Sequence, residues 1–391
     1  MTLSRYLSVC LVAALTVAVT IPSVTHGAPF IQDDASSAAP AEEAEYVFTV
    51  EYEVDCTDVK SQGQTGTCWC FATASFLESE MLRRGKGRLN LSEMFIVKGI
   101  YQDKALNYVM RQGKANFSQG ALAHDFINGV HRHGLMPEEA YNGLDEGVST
   151  HNHSEMESIL SSMVDAVVER SRPTPKWQTA FDAVLDTYMG ETPANFQYDG
   201  QSYTPQEFAE FLDFRKDDYV NITSFTHHPF YEEFVLEIPD NYSNGSFYNM
   251  PVDDVIAVID HAIENGYSVA WDGDVSESGF SQSRGLAVLP ADPQARPFNK
   301  PVEQMEVTQE MRQDTFYDFT TTDDHLMHLT GIARDTAGNK YYIIKNSWGE
   351  TGPYDGHLYM SEAYVRLKTI SILLHRDGMP EQHKMAGRSK S

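Results

Sequence analysis

From Glu45 to Val54, apolar and polar side chains alternate around Tyr46, Phe48, Val50 and Tyr52, the period-two pattern of a strand with one covered face. The period changes after Trp69. Phe71, Ala74, Leu77 and Met81 recur at helical spacing up to Arg84, and Gly85 and Gly87 stop the run, which predicts a helix over 69–84 with one buried face. Leu122, Phe126 and Val130 repeat that spacing before Gly134, and further amphipathic stretches follow at 154–170, 175–189 and 204–213. The amino-terminal half is therefore expected to be mainly helical. The carboxy-terminal third differs: Leu326 to Ala333 and Lys340 to Lys345 are β-prone runs joined by the turn-forming segment Asp335-Thr-Ala-Gly-Asn339, which predicts a hairpin. A helical lobe followed by a sheet lobe is an α+β pattern, and the cleft between two such lobes is the expected place for a site.

The first 45 residues follow other rules. Arg5 precedes an apolar run from Tyr6 to Ile21, then Pro22 and the small residues Thr25, Gly27 and Ala28, the layout of a secretory signal peptide over 1–27. A retained amino-terminal anchor is the alternative, and no later stretch approaches the roughly 20 apolar residues of a membrane span. Residues 28–45 are small and acidic, as in a disordered linker or short propeptide. The folded part is expected over 46–391, with a helical lobe at about 46–145, a mainly helical insertion at about 146–250, and a β lobe with a carboxy-terminal arm at about 251–391. This organisation implies a secreted or periplasmic protein.

Charge and cysteines narrow the chemistry. A net charge of -27 argues against nucleic-acid partners, because an acidic surface repels a polyanion. Cys10 lies in the signal segment, leaving Cys56, Cys68 and Cys70, too few to staple a domain of this size. A Cys56–Cys70 bridge and two buried thiols both fit the sequence, and the helix expected around Cys70 favours thiols. A zinc set of these cysteines is disfavoured, since Cys-x-Cys on a helix sends its two sulfurs to different sides. Neither a metal nor a cofactor is expected. His227 and His228, flanked by Phe225, Phe230 and Tyr231, are assigned to packing, and His328 to packing or surface.

Cys68 stands immediately before the expected helix, where free N–H groups and the positive end of the dipole favour a thiolate, so its pKa is expected to fall. A nucleophile also needs a base and donors for the oxyanion. His325 begins the first hairpin strand and Asn346 follows the second; their index sum, 671, centres close to the 335–339 turn, so pairing brings them together. The Asn amide then fixes the His ring and leaves its other nitrogen for the thiol. Gln62, on the glycine-containing loop before Cys68, can join the Cys68 backbone N–H in an oxyanion hole.

The segments Val59-Lys-Ser-Gln62-Gly-Gln-Thr-Gly-Thr-Cys68-Trp-Cys-Phe71, Asp324-His325 and Tyr342-Ile-Ile-Lys-Asn346-Ser-Trp348-Gly349 resemble the cysteine, histidine and asparagine motifs of the papain-like cysteine peptidases. The extra residues between lobe and hairpin, including Phe225 to Tyr231, and the Tyr364 to Pro380 segment are similar to the bleomycin hydrolase and aminopeptidase C branch, in particular its secreted bacterial members. The resemblance implies a two-lobed papain-like fold, peptide substrates, Trp348 shielding the His325–Asn346 bond, and Gly120 of the Gln119-Gly120 pair binding substrate main chain. It also implies a hexamer, and an aminopeptidase whose own carboxy-terminal arm receives the substrate amine. The polar tail Met385 to Ser391 is longer than such an arm, which keeps an open-cleft endopeptidase as the runner-up. A secreted binding scaffold without chemistry is the reading from another class, and the complete set of motif residues argues against it.

Overall fold

The computed structural model describes residues 46–384. The expected signal segment and linker (1–45) and the tail 385–391 lie outside the described residues.

Strand β1 (Phe48–Glu53) leads to helix α1 (Cys68–Arg83), one residue ahead of the range expected from the apolar period. Gly85 and Gly87 end it with φ of 70° and 90°, conformations that cost a side-chain-bearing residue dearly. Helix α2 (Glu93–Met110) follows, capped by Ser92, whose hydroxyl accepts from the Phe95 N–H at 3.1 Å. The apolar period gave no sign of α2 because residues 93–101 are buried all round, polar ones included, and its exposed positions are the apolar Leu106 and Met110; Glu93 is buried against Lys60 at 2.6 Å and Lys98 against Asp186 at 2.6 Å. Helix α3 (Ala123–His133) stops at Gly134 as its period indicated.

The insertion begins with three helices close to the expected ranges, α4 (Ser154–Val168), α5 (Lys176–Met189) and α6 (Pro205–Phe211), with the β2–β3 hairpin (Phe196–Tyr198, Gln201–Tyr203) before α6. It then supplies strands β4 (Tyr219–Thr223), β5 (Glu233–Val235) and β6 (Ser246–Asn249), which extend the main sheet. Helix α7 (Val252–Glu264), β7 (Val269–Gly273), the short strands β8 (Phe280–Ser281) and β9 (Leu286–Ala287), and α8 (Gln309–Tyr317) come next. The expected hairpin is β10 (His325–Asp335) and β11 (Lys340–Lys345), followed by β12 (His357–Ser361), α9 (Glu362–Lys368) and β13 (Thr369–His375).

The sheet runs β5-β6-β4-β13-β7-β10-β11-β12-β9-β8, with β1 added on β10. Because side chains alternate across a strand, Ala270, Leu326 and Leu373 enter the core of the helical lobe, while their neighbours Trp271, Met327 and Ile372 enter a second core under α7 and α9. The central strands thus belong to both lobes, and the seam opens at the ends of β7, β10 and β13 that carry Gly273, His325 and Thr369. β13 runs away from this seam, and after it Met379 is buried in the second core and His383 lies 3.8 Å from Asp254 of α7. Among the described residues no helix is long and apolar enough to cross a membrane.

Candidate active site

Cys68 is the first residue of α1, so the unpaired N–H groups of that helix end lie around it. The loop before it is held from three sides. Gln62 N–H donates to the Ser347 carbonyl at 2.9 Å, Gly66 N–H donates to Gln119 Oε1 at 2.8 Å, and Gln64 N–H donates to the His151 carbonyl at 2.8 Å. The Trp69 indole closes the frame by donating to the Gln119 carbonyl at 3.0 Å. Gln119 therefore ties the cysteine loop to the segment carrying Gly120, a role sequence reasoning missed because its partners are some 50 residues away.

His325 and Asn346 meet as expected: His325 Nε2 lies 2.7 Å from Asn346 Oδ1, which leaves Nδ1 as the free ring nitrogen. The route to this contact differs from the expected one. Where the hairpin pairs, His328 faces Lys345, so the index sum is 673 instead of 671, and a bulge between Leu329 and Gly331 shifts it again. The 673 register would set Trp348 opposite His325, and the Trp348 ring does lie 4.8 Å from the His325 ring. Asn346 reaches His325 from beyond the end of the ladder. Two partners hold it there: its Nδ2 donates to Gln282 Oε1 at 2.8 Å, and its Oδ1 also accepts from Ser347 N–H at 2.7 Å. Gln282 carried no signal in the sequence, since it stands in an irregular stretch 64 residues upstream.

The expected fall in the Cys68 pKa is corrected by burial. Only 8% of Cys68 is exposed, and desolvation pushes its thiol up to about 12, opposed by a hydrogen bond with the Leu326 backbone and reinforced by Asp323, Asp240 and Asp272. Desolvation also takes His325, 2% exposed, down to about 4 against the pull of Asn346 and Asp324. Burial thus opposes a lone charge on either group. The sequence located the helix end but carried no measure of this burial.

Gln62 is buried beside the loop, but its amide is already engaged: Nε2 donates to the Thr65 carbonyl at 2.6 Å, and Oε1 accepts from Ser347 Oγ at 2.7 Å. One N–H of Nε2 is left after that bond. The Gly120 carbonyl accepts from the Lys104 ammonium, and a Cβ built on Gly120 would collide with the Asp240 carboxylate.

The other candidates have structural roles. Among the described residues Cys56, Cys68 and Cys70 are free thiols, and Cys70 points to the Glu93 carbonyl at 3.2 Å. His328 is buried and shares a 2.8 Å hydrogen bond with Ser75, which in turn accepts from Lys345 at 2.8 Å. His227, His228 and Glu237 form a compact group with metal-ligand side chains. The Gln313 Oε1 accepts from Thr226 N–H, which turns its Nε2 toward His227 Nδ1 at 3.3 Å; His227 then carries its proton on Nε2, donating to Glu237 at 3.2 Å, and that nitrogen has no lone pair for a metal.

The loop carrying Gln62 rests on a pH-sensitive support. His153 N–H donates to the Gln64 carbonyl at 3.3 Å, and the His153 ring is 4% exposed, with desolvation and His151 taking its pKa down to about 4. A folded-state pKa below the unfolded value near 6.5 contributes stability that is full above 6.5 and lost as pH falls toward 4, at most about 3 kcal/mol for this group. His153→Phe is expected to flatten the decline of melting temperature between pH 6.5 and 4. An unchanged slope would show that this ring does not set the acid limit.

Comparison with known proteins places these residues in context. The sequence model of the Peptidase C1-like family matches residues 101–390, a span holding Gly120, His325, Asn346 and Trp348. Aminopeptidase G of Lactobacillus delbrueckii subsp. lactis is 22% identical over 375 residues, covering 84% of this chain and 83% of its own. Aminopeptidase C of Listeria monocytogenes serovar 1/2a is 21% identical over 377 residues, covering 83% and 81%. The crystal structure of PepW from Lactobacillus rhamnosis HN001 superposes with a TM-score of 0.70 at 17% identity, covering 86% of this chain and 83% of that one, so the fold is shared.

Proposed function

The chain belongs to the Peptidase C1-like family, with the two-lobed α+β papain-like fold, and from that premise we propose that it is an aminopeptidase working through a Cys68-His325-Asn346 triad. The observation that carries the reading is the 2.7 Å His325–Asn346 bond beside a cysteine that opens a helix. Cys68 sulfur, giving its proton to His325, attacks the carbonyl carbon of the substrate's first residue. The tetrahedral oxyanion is taken by the Cys68 N–H and the remaining N–H of Gln62. Collapse breaks the C–N bond, and imidazolium of His325 returns the proton to the leaving amine. Water, deprotonated by neutral His325, then attacks the thioester and frees the amino acid and Cys68. Trp348, tilted against the ring with centroids 4.8 Å apart, keeps water from the His325–Asn346 bond. The apolar run from Tyr6 to Ile21 supports export to a secreted or periplasmic location.

Restriction to amino termini rests on the names of relatives that span more than four-fifths of the chain. A peptide with a free amine and its acetylated twin test it: the free form is expected to be cut and the acetylated form spared. Equal rates would reject the aminopeptidase and leave an endopeptidase of the same chemistry.

A further inference from the structure

Asp240 sits against Gly120, which lies in the segment whose backbone the family resemblance gives to the substrate main chain. The segment 236–245, after β5, folds back over the connection between α2 and α3 and is fastened there by side chains of the helical lobe. Asn107 Nδ2 donates to the Tyr242 carbonyl at 3.1 Å, His124 Nε2 lies 3.0 Å from Ser243 Oγ, and Asn116 Nδ2 donates to Asp240 Oδ1 at 2.8 Å. Asn241 braces the segment from inside, donating to the Leu236 carbonyl at 2.9 Å and accepting from Gly245 N–H at 2.7 Å. Its Asp240 carboxylate lies in the space a side chain at position 120 would fill. Substrate residues extending past Gly120 would meet this segment.

Asp240 is not an isolated acid beside the cysteine. Asp240, Asp272 and Asp323 all act electrostatically on the Cys68 thiol. Asp272 is 1% exposed; its Oδ2 accepts from Ser371 at 2.8 Å, and it shares a hydrogen bond with Asp323, which requires a proton on one of the two. Beyond that contact, Asp272 Oδ1 and Asp323 Oδ2 have no donor among the described residues. Buried oxygens are seldom left so. The nearby Lys104 ammonium donates to the Gly120 carbonyl and to Ser118 Oγ at 3.4 Å, and Asp125 Oδ2 accepts from Leu122 N–H at 3.1 Å. Lys104 is thus shared by Asp125, Asp240 and Asp323, with His124 Nε2 3.4 Å from Asp125 Oδ1. Desolvation raises the pKa of Asp240, Asp272 and Asp323, and Lys104 pulls Asp240 the other way.

We infer that Asp240 ends the cleft one residue short on the amino-terminal side of the scissile bond and holds the substrate's free α-ammonium, with Asp323 and Asp272 behind it. The inference rests on the aminopeptidase reading and assigns its specificity to this chain's insertion instead of to a carboxy-terminal carboxylate. An α-ammonium donates three hydrogen bonds at about the right reach for a carboxylate. A lysine side chain one residue further from the scissile bond would offer the same chemistry, and the test separates the two.

The measurement is kcat/KM on three fluorogenic amides, a free aminoacyl, its acetylated twin, and an acetyl-lysyl-aminoacyl, with the wild type, Asp240→Asn, and a chain ending at Lys384. The wild type is expected to prefer the free amine strongly. Asp240→Asn keeps the shape and the Asn116 bond, and is expected to lower kcat/KM for the free amine about 30- to 100-fold, chiefly through KM, while the acetylated rate stays level. The chain ending at Lys384 should keep the wild-type preference, a result that does not depend on how Asp240→Asn folds. A free-amine preference retained in Asp240→Asn, or lost on removing residues 385–391, would overturn the inference and leave the aminopeptidase standing. A wild type that prefers acetyl-lysyl substrate would also overturn it, in favour of a side-chain pocket. Equal wild-type rates on the first two amides would fail the aminopeptidase reading itself, and the inference with it.

Discussion

Cys68→Ala is expected to remove turnover of every peptide substrate, by about 10⁴-fold or more, with the fold unchanged. The size follows from the chemistry: without the sulfur no acyl-enzyme forms, and what is left is the help that the remaining donors and binding contacts give to water. The substitution deletes one atom at a helix start, where alanine is a good helix former, so the melting temperature should move little. Cys68→Ser is expected to fail almost as badly, since a site that already holds a thiol near pKa 12 will hold an alcohol more firmly protonated. Steady-state rates on a free-amine peptide, read beside a melting curve, check both. Activity within tenfold of the wild type in Cys68→Ala would remove Cys68 from the chemistry and revive the reading of a scaffold without activity. Alkylation by a mild thiol reagent at neutral pH, located by peptide mapping because the half-buried Cys56 is also free, offers an independent reading; Cys70, fully buried against Glu93, should stay unlabelled.

The parts of this site legible in the sequence were those fixed by local rules. The α1 period, the hairpin turn and the order of Gln62, Cys68, His325 and Asn346 each depend on neighbours in the chain, and the structure brings the last two together as expected. What escaped depends on packing between distant segments. Helix α2 was invisible because its first half is buried on every side and its exposed positions, Leu106 and Met110, are apolar, while its buried charges Glu93 and Lys98 find partners 33 and 88 residues away. The thiol's pKa went the wrong way because a helix end is a local feature and desolvation is not. Gln119, Gln282 and Asp240 were overlooked because each acts through a contact more than 50 residues distant.

The register error has a similar cause and a mechanistic consequence. Simple hairpin arithmetic set His325 opposite Asn346, whereas the ladder's own register points Trp348 at His325 and leaves Asn346 to be steered by Gln282 and Ser347. Two separate devices therefore hold the ring: a hydrogen bond at Nε2 and an aromatic face at 4.8 Å. Loss of one leaves the other.

That redundancy sets the expected order of the remaining variants. His325→Ala should match Cys68→Ala, because it removes the imidazole proposed to take the proton of a buried thiol pushed up to about 12 and to give one to the leaving amine. Asn346→Ala removes the bond that orients the ring but keeps the ring, its free Nδ1 and the Trp348 contact, and is expected to cost roughly 10- to 100-fold, mostly in kcat. Part of that cost is indirect, because Gln282 Oε1 and the Ser347 N–H lose their partner as well. Asn346→Gln should not recover the rate, since the longer side chain cannot satisfy His325, Gln282 and Ser347 from the same backbone position. Adding Trp348→Ala to Asn346→Ala should drive activity down toward the His325→Ala level, by more than the product of the single losses, because the double variant frees a ring that either partner alone still holds. Single-turnover rates of the four variants decide the matter: if Asn346→Ala alone equals His325→Ala, Asn346 does more than orient the base, and the picture of two independent supports is wrong.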